Sequence, residues 1–149
     1  MLNSIPEYRL LLDAVVQGRS TAVTGVGQIN RSHMIAALHA DTSKPIVILC
    51  QDDIAAKKLQ EELKAFLGII PPILPGRELT LYDTAVVSRA WEQKRLRQLY
   101  ELMQGKTNFQ IMPQTGQSAA QTVYSACSEE ADWVFLGVTG SIMYFCSMG

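Results

Sequence analysis

The continuous apolar run Pro45-Ile46-Val47-Ile48-Leu49-Cys50 constrains the fold of this 149-residue chain more than any other feature. A half-exposed strand alternates apolar and polar residues. A run without polar breaks marks a parallel strand covered on both faces, so the chain has to supply helices for two sides of a sheet. Asp52 or Asp53 can cap the helix that follows, where Ala55, Leu59, Leu63, Phe66 and Leu67 make one apolar face and Gly68 makes the stop.

The flanking sequence repeats this alternation. Pro6 suits a first helical position, with Asn3 or Ser4 as cap, and Tyr8, Leu11, Leu12, Val15 and Val16 recur at helical spacing over Pro6–Gln17. Thr21–Thr24 reads as a buried strand. The loop Gly25–Asn30 then leads into a helix from Arg31 to about His39, with Met34, Ile35 and Leu38 inward. Ile69–Leu74 is a further strand candidate, weakened by Pro71 and Pro72. After a loop over Pro75–Val87, Ser88 can cap a helix to Met103, with Leu96, Leu99, Tyr100 and Met103 toward the core. Phe109–Met112 can be another strand. Strands alternating with helices predict an α/β fold with a mostly parallel sheet flanked by helices.

Composition narrows the class. With 48% hydrophobic and 18% charged residues, the chain is not intrinsically disordered. Its length fits one domain. A net charge of −1 gives no global drive toward nucleic acid or an anionic membrane. Cys50, Cys127 and Cys146 are odd in number and form no Cys-x-x-Cys pair, which points to a reducing cytosol and away from zinc or a disulfide scaffold. The two histidines, His33 and His39, stand six apart, not at the i,i+4 spacing of a metal pair. The N-terminus has no signal-peptide pattern. The uncharged stretch Trp133–Gly149 falls short of a spanning helix, and its apolar ends can either pair as short strands or promote aggregation.

The residues Gly25-Val26-Gly27-Gln28-Ile29-Asn30-Arg31-Ser32 carry the most chemical information. A phosphate-binding loop has glycine, four residues, then Gly-Lys-Ser/Thr between a strand and a helix. Its backbone N–H groups turn toward phosphate and its lysine reaches the β/γ oxygens. Here the spacing survives, Asn30 and Arg31 replace Gly-Lys, and Ser32 keeps the magnesium-ligand type. Arginine is longer and forked and does not simply take the lysine's place. The loop reads as vestigial (Gly25, Gly27, Asn30, Arg31, Ser32), or as an ordinary strand–loop–helix with Asn30 as cap. An alternative is a small P-loop nucleotide hydrolase or kinase using Arg31. Asp52 and Asp53 read as a cap rather than a Walker B acid. Arg89, Lys94, Arg95 and Arg97 form a basic side near Trp91, either a surface for a partner or nucleic acid, or a solvated face carrying the i,i+4 pair Arg97 and Glu101.

An ordered series of residues resembles the N-terminal end of bacterial transcription-repair coupling factors, the Mfd family. It comprises Glu7-Tyr8 with Leu11, Thr24-Gly25-Val26-Gly27, Arg31-Ser32-His33, Ala36-Ala37-Leu38 and Lys44 to Leu49. It continues through Leu59, Leu63 and Phe66-Leu67 to Leu74-Pro75-Gly76-Arg77-Glu78, Tyr82-Asp83, Ser88-Arg89 and Gln93-Lys94-Arg95-Leu96. The resemblance covers about Met1 to Met112. It implies a UvrB-like first domain over residues 1–112: a RecA-like, P-loop-type half-domain with a decayed ATP site, no catalytic residue and no bound metal or cofactor. It places the parent in nucleotide excision repair of DNA damage, in the cytoplasm. ATP and magnesium, DNA translocation and contact with RNA polymerase belong to other domains of that longer parent. UvrA is recruited chiefly through the domain after this one, and intramolecular contacts hold the parent in a repressed state. Residues 113–149 depart from the family pattern. All 13 basic residues lie between Arg9 and Lys106, so the first 106 residues carry 13 basic against 11 acidic groups, while the last 43 carry only three acids. That boundary predicts a divergent tail arising from truncation, a frame shift or fragmentation.

Overall fold

In the computed structural model of the protein, the described residues are 2–74, 89–113, 133–139 and 142–148. Helix α1 (Pro6–Val16) leads to strand β1 (Thr21–Thr24), helix α2 (Gln28–Thr42), strand β2 (Ile46–Cys50) and helix α3 (Asp53–Leu67). Helix α4 (Arg89–Met103) precedes strand β3 (Phe109–Pro113), and strands β4 (Trp133–Thr139) and β5 (Ile142–Met148) follow. The fold is α/β, with five strands in the order β1-β5-β4-β2-β3.

The sheet is mixed, which corrects the expectation of a mostly parallel one. β2 pairs in parallel with β3 and with β4, whereas β5 pairs antiparallel with β4 and with β1. The reason lies in the connection between β4 and β5. Only two residues separate β4 from β5, and Thr139 pairs with Ile142; a connection that short joins only antiparallel strands. β5 therefore enters between β4 and β1 and runs against the other four. Trp133–Leu136 and Ile142–Phe145, read from sequence as apolar ends able to pair, form the middle of the sheet within the 113–149 stretch.

Period-two alternation divides the core between the two faces. Ile46, Ile48 and Cys50 of β2 point to the same side as Phe109, Ile111, Val134, Leu136, Met143 and Phe145, where Leu11 and Val15 of α1, Ile35 and Leu38 of α2, and Leu59 and Leu63 of α3 cover them. Val47 of β2 points the other way, to Met112, Trp133, Phe135 and Leu102 of α4. The apolar run at β2 is thus covered on both faces, as its sequence predicts.

Several local expectations change. β1 is an edge strand with alternating half-buried and exposed residues, not a buried one. Ile5, not Asn3 or Ser4, occupies the cap position of α1 and provides no side-chain cap; Pro at the first turn supplies the preset φ instead. Ile69–Leu74 forms only an isolated bridge, Ile73 to Ile111, because Pro71 and Pro72 lack N–H donors. α4 rests on Leu102 and the half-buried Leu99, while Leu96, Tyr100 and Met103 are exposed, so its buried face is rotated from the one predicted. Phe66 and Val16 are likewise exposed. Pro75–Ser88, which includes Gly76, Arg77, Glu78, Tyr82 and Asp83, lies outside the described residues.

α3 follows its sequence signals closely. The Asp52 carboxylate accepts from the Ala55 N–H at 2.7 Å, and Gly68 ends the helix at φ 69°, a left-handed conformation that costs glycine little. Asp52→Ala is expected to lower stability by about 1 kcal/mol, read as a lower urea midpoint with an unchanged m-value.

Candidate functional site

The C-terminal ends of β1, β2 and β4 meet at one edge of the sheet. Thr24 pairs with Ile142, Ile142 with Thr139, and Cys50 with Val138. Beyond this edge lies a cavity of about 290 Å³ between the N-terminal turns of α2 and α3, lined in part by Gln28, Arg31, Cys50, Gln51, Lys58 and Val138.

Of the loop residues singled out in the sequence, Arg31 lines this cavity, while Gly27 and Asn30 line a second cavity with Gln28, Ile29, Lys58 and Glu62. Gly25 turns the chain at φ 77°. The helix begins at Gln28, three residues before the predicted start, and Gly27 rather than Asn30 holds the cap position, with no side-chain cap. The Arg31 N–H donates to the Gly27 carbonyl at 3.0 Å. A phosphate cradle needs loop amides free to face the ligand; here early helix formation takes the Arg31 amide inward. Asn30 is exposed, and the Arg31 side chain is half-buried.

Ser32, the residue of magnesium-ligand type, is fully buried. Its hydroxyl donates to Glu62 Oε2 of α3 at 2.5 Å. Gln28 Nε2 donates to Glu62 Oε1 at 3.0 Å, and Lys58 Nζ donates to Gln28 Oε1 at 2.9 Å. The Glu62 carboxylate therefore occupies the space beside the serine with both oxygens engaged. The Ser32 hydroxyl is thus engaged by a protein carboxylate, and the Arg31 amide by the first turn of α2.

Glu62, Lys58 and Gln28 are absent from the site expected from sequence. Their only sequence signal is the i,i+4 spacing of Gln28 with Ser32 and of Lys58 with Glu62, each pair on one helical face. That spacing occurs on most solvated helices, and α2–α3 packing is what brings the pairs together.

Cys50, itself buried, is one of the residues that line the cavity. Burial, with a smaller contribution from the Asp52 charge, pushes its thiol up from 9.0 to about 12. A raised pKa means that the folded state keeps a proton which the unfolded thiol loses above about 9. Cys50 thus contributes stability at neutral pH that declines as pH rises from 9.0 toward 12. Because the thiolate is the nucleophile, Cys50 is expected to resist iodoacetamide at pH 8 in the folded protein and to react in urea. Peptide mapping by mass spectrometry checks this.

Helix α4, which carries the basic residues, packs on the opposite face of the sheet from α2 and α3, so they and the loop before α2 do not form one site. Arg89, Lys94 and Arg97 are exposed and Arg95 is half-buried. Arg97 Nε pairs with Glu101 at 3.2 Å, the expected i,i+4 bridge. His33 stacks on Phe66 with ring centroids 5.2 Å apart, and His39 meets the edge of Phe109 at 4.4 Å. Among the described residues no group of three or more His, Cys, Asp or Glu side chains is placed to hold a metal, and no helix is long and apolar enough to cross a membrane.

No known family profile matches the chain. Among solved structures, YdiB from Bacillus subtilis aligns with a TM-score of 0.42 and 16% identity, covering 88% of this chain and 87% of that one. Over 105 residues, 66% of this chain, the sequence is 30% identical to the transcription-repair-coupling factor of Myxococcus xanthus. That match spans only 9% of the relative's length. The chain is thus similar, over much of its own length, to a small part of a transcription-repair-coupling factor.

Proposed function

We propose that the chain is a UvrB-like, RecA-type module of a transcription-repair coupling factor, acting in the cytoplasm as an interaction module without catalysis of its own. The carrying observation is the 30% identity over 105 residues to the Myxococcus xanthus factor. The engagement of Ser32 by Glu62 and of the Arg31 amide by Gly27 supports the non-catalytic part of this reading. On this reading, ATP-driven DNA translocation, displacement of stalled RNA polymerase and most of the contact with UvrA belong to the remainder of the longer protein. The module supplies a folded scaffold that docks against those other domains.

A chimera tests this. The matched segment of the Myxococcus xanthus factor is replaced by the corresponding part of this chain, and removal of stalled RNA polymerase and repair of the transcribed strand are measured. Retention of both is expected. A stable chimera that retains translocation on DNA but loses repair would overturn the proposal.

A further inference from the structure

We propose that the exposed side of α4 docks an amphipathic helix of a partner protein, one whose apolar stripe is bordered by acidic residues. Leu96, Tyr100 and Met103 stand at i, i+4 and i+7, so they fall within about 60° of one another round the helix. They are 65%, 59% and 57% exposed, while Leu99 and Leu102 take the contact with the sheet. Single exposed apolar residues are ordinary, but three along one side of one helix make the anchor pattern by which helices recognise each other. The same face of the sheet is also open away from α4. Met143 and Phe145 of β5 point toward α1–α3 and are 0% and 2% exposed. Tyr144 between them points to the α4 side, opposite Gly137 and Ala22, and is 52% exposed.

Charge selects the occupant. Arg89, Lys94, Arg95 and Arg97 of α4 stand against Glu92 and Glu101, a net of +2, whereas the whole chain carries −1, so the remainder carries −3. Arg89, Lys94 and Arg97 are exposed along the helix, and Arg97 shares its charge with Glu101. Two copies meeting α4 to α4 would set +2 against +2. A nucleic-acid backbone would use the cations and leave Leu96, Tyr100 and Met103 in water. An acid-bordered amphipathic helix covers the apolar stripe and meets the positive charge together. Tyr, Met and Arg are also side chains enriched in protein interfaces. In such a contact the apolar residues hold the partner, while the complementary charge speeds association and rejects basic competitors. This inference does not depend on the relation to repair factors, and the chimera above can fail or succeed independently of it.

The test is titration of the full chain with two synthetic helical peptides that share one leucine stripe, bordered by glutamate in one and by lysine in the other, followed by fluorescence anisotropy and amide NMR. Saturable binding of the glutamate peptide is expected, about ten-fold tighter than the lysine peptide at low salt, with the gap narrowing as salt rises. The amide shifts should centre on Leu96, Tyr100 and Met103. The double variant Leu96→Gln with Met103→Gln is expected to weaken binding by about ten-fold or more. Lys94→Glu should reduce the preference for the acidic peptide, and Leu10→Gln on α1 should change nothing. Equal affinity for the two peptides, no saturable binding of either, or shifts centred on α1–α3 overturns the proposal. So does tighter binding of duplex DNA than of the glutamate peptide, self-association through α4 seen by sedimentation, or a cross-link from a probe at position 100 to residues 114–132 of the same molecule. The wild-type shift map decides the matter even if the double variant fails to fold.

Discussion

A chain ending at Pro113 is expected to lose cooperative folding altogether. Among the described residues, β1 pairs only with β5, and β5 reaches the rest of the sheet only through β4. Removal of both strands separates β1 from β2 and exposes one edge of β2. It also removes Trp133, Val134, Phe135, Leu136, Met143 and Phe145, none of them more than 3% exposed. Each buried side chain of this kind is worth about 1.5–3 kcal/mol. Six of them together match or exceed a typical net stability of about 5–15 kcal/mol. Circular dichroism of the shortened chain should show no sigmoidal urea transition. A cooperative transition with an m-value proportionate to its length would contradict the sheet order.

The second large effect is expected at Trp133. It is 1% exposed and packs with Val47, Leu74, Leu102, Met112 and Phe135 beneath α4. Trp133→Ala should cost about 3–5 kcal/mol through lost burial and the cavity left behind, which corresponds to a fall in Tm of roughly 10 °C for a chain of this size. The indole Nε1 is buried with no hydrogen-bond partner among the described residues. Trp133→Phe removes that donor while keeping most of the ring, so its cost should stay below about 1.5 kcal/mol. A Phe variant as unstable as the Ala variant would show that the indole nitrogen is satisfied in solution.

The parts of this architecture legible in the sequence are those with strong local signals. The apolar run at β2 announces a doubly covered strand. Asp52 and Gly68 bracket α3 at the positions that cap chemistry favours. The face of α4 is less legible, because Leu96, Leu99, Tyr100, Leu102 and Met103 spread apolar character over more than one side, and periodicity alone does not select the buried one. The mixed sheet is set by long-range pairing: Trp133–Leu136 and Ile142–Phe145 carry an apolar signal, but nothing local dictates insertion between β1 and β2. At the candidate site, the loop spacing around Arg31 and Ser32 is visible in the sequence, whereas the carboxylate that meets Ser32 comes from a residue 30 positions away.

The measurement closest to the central claim is titration of the intact protein with ATP and magnesium, together with an assay for phosphate release. Because Glu62 holds Ser32 and the Arg31 amide faces Gly27, ATP with magnesium should bind no more tightly than orthophosphate, and no hydrolysis should appear. Saturable micromolar binding of magnesium-ATP with turnover, both lost in Arg31→Ala, would contradict the account and make the loop a working nucleotide site.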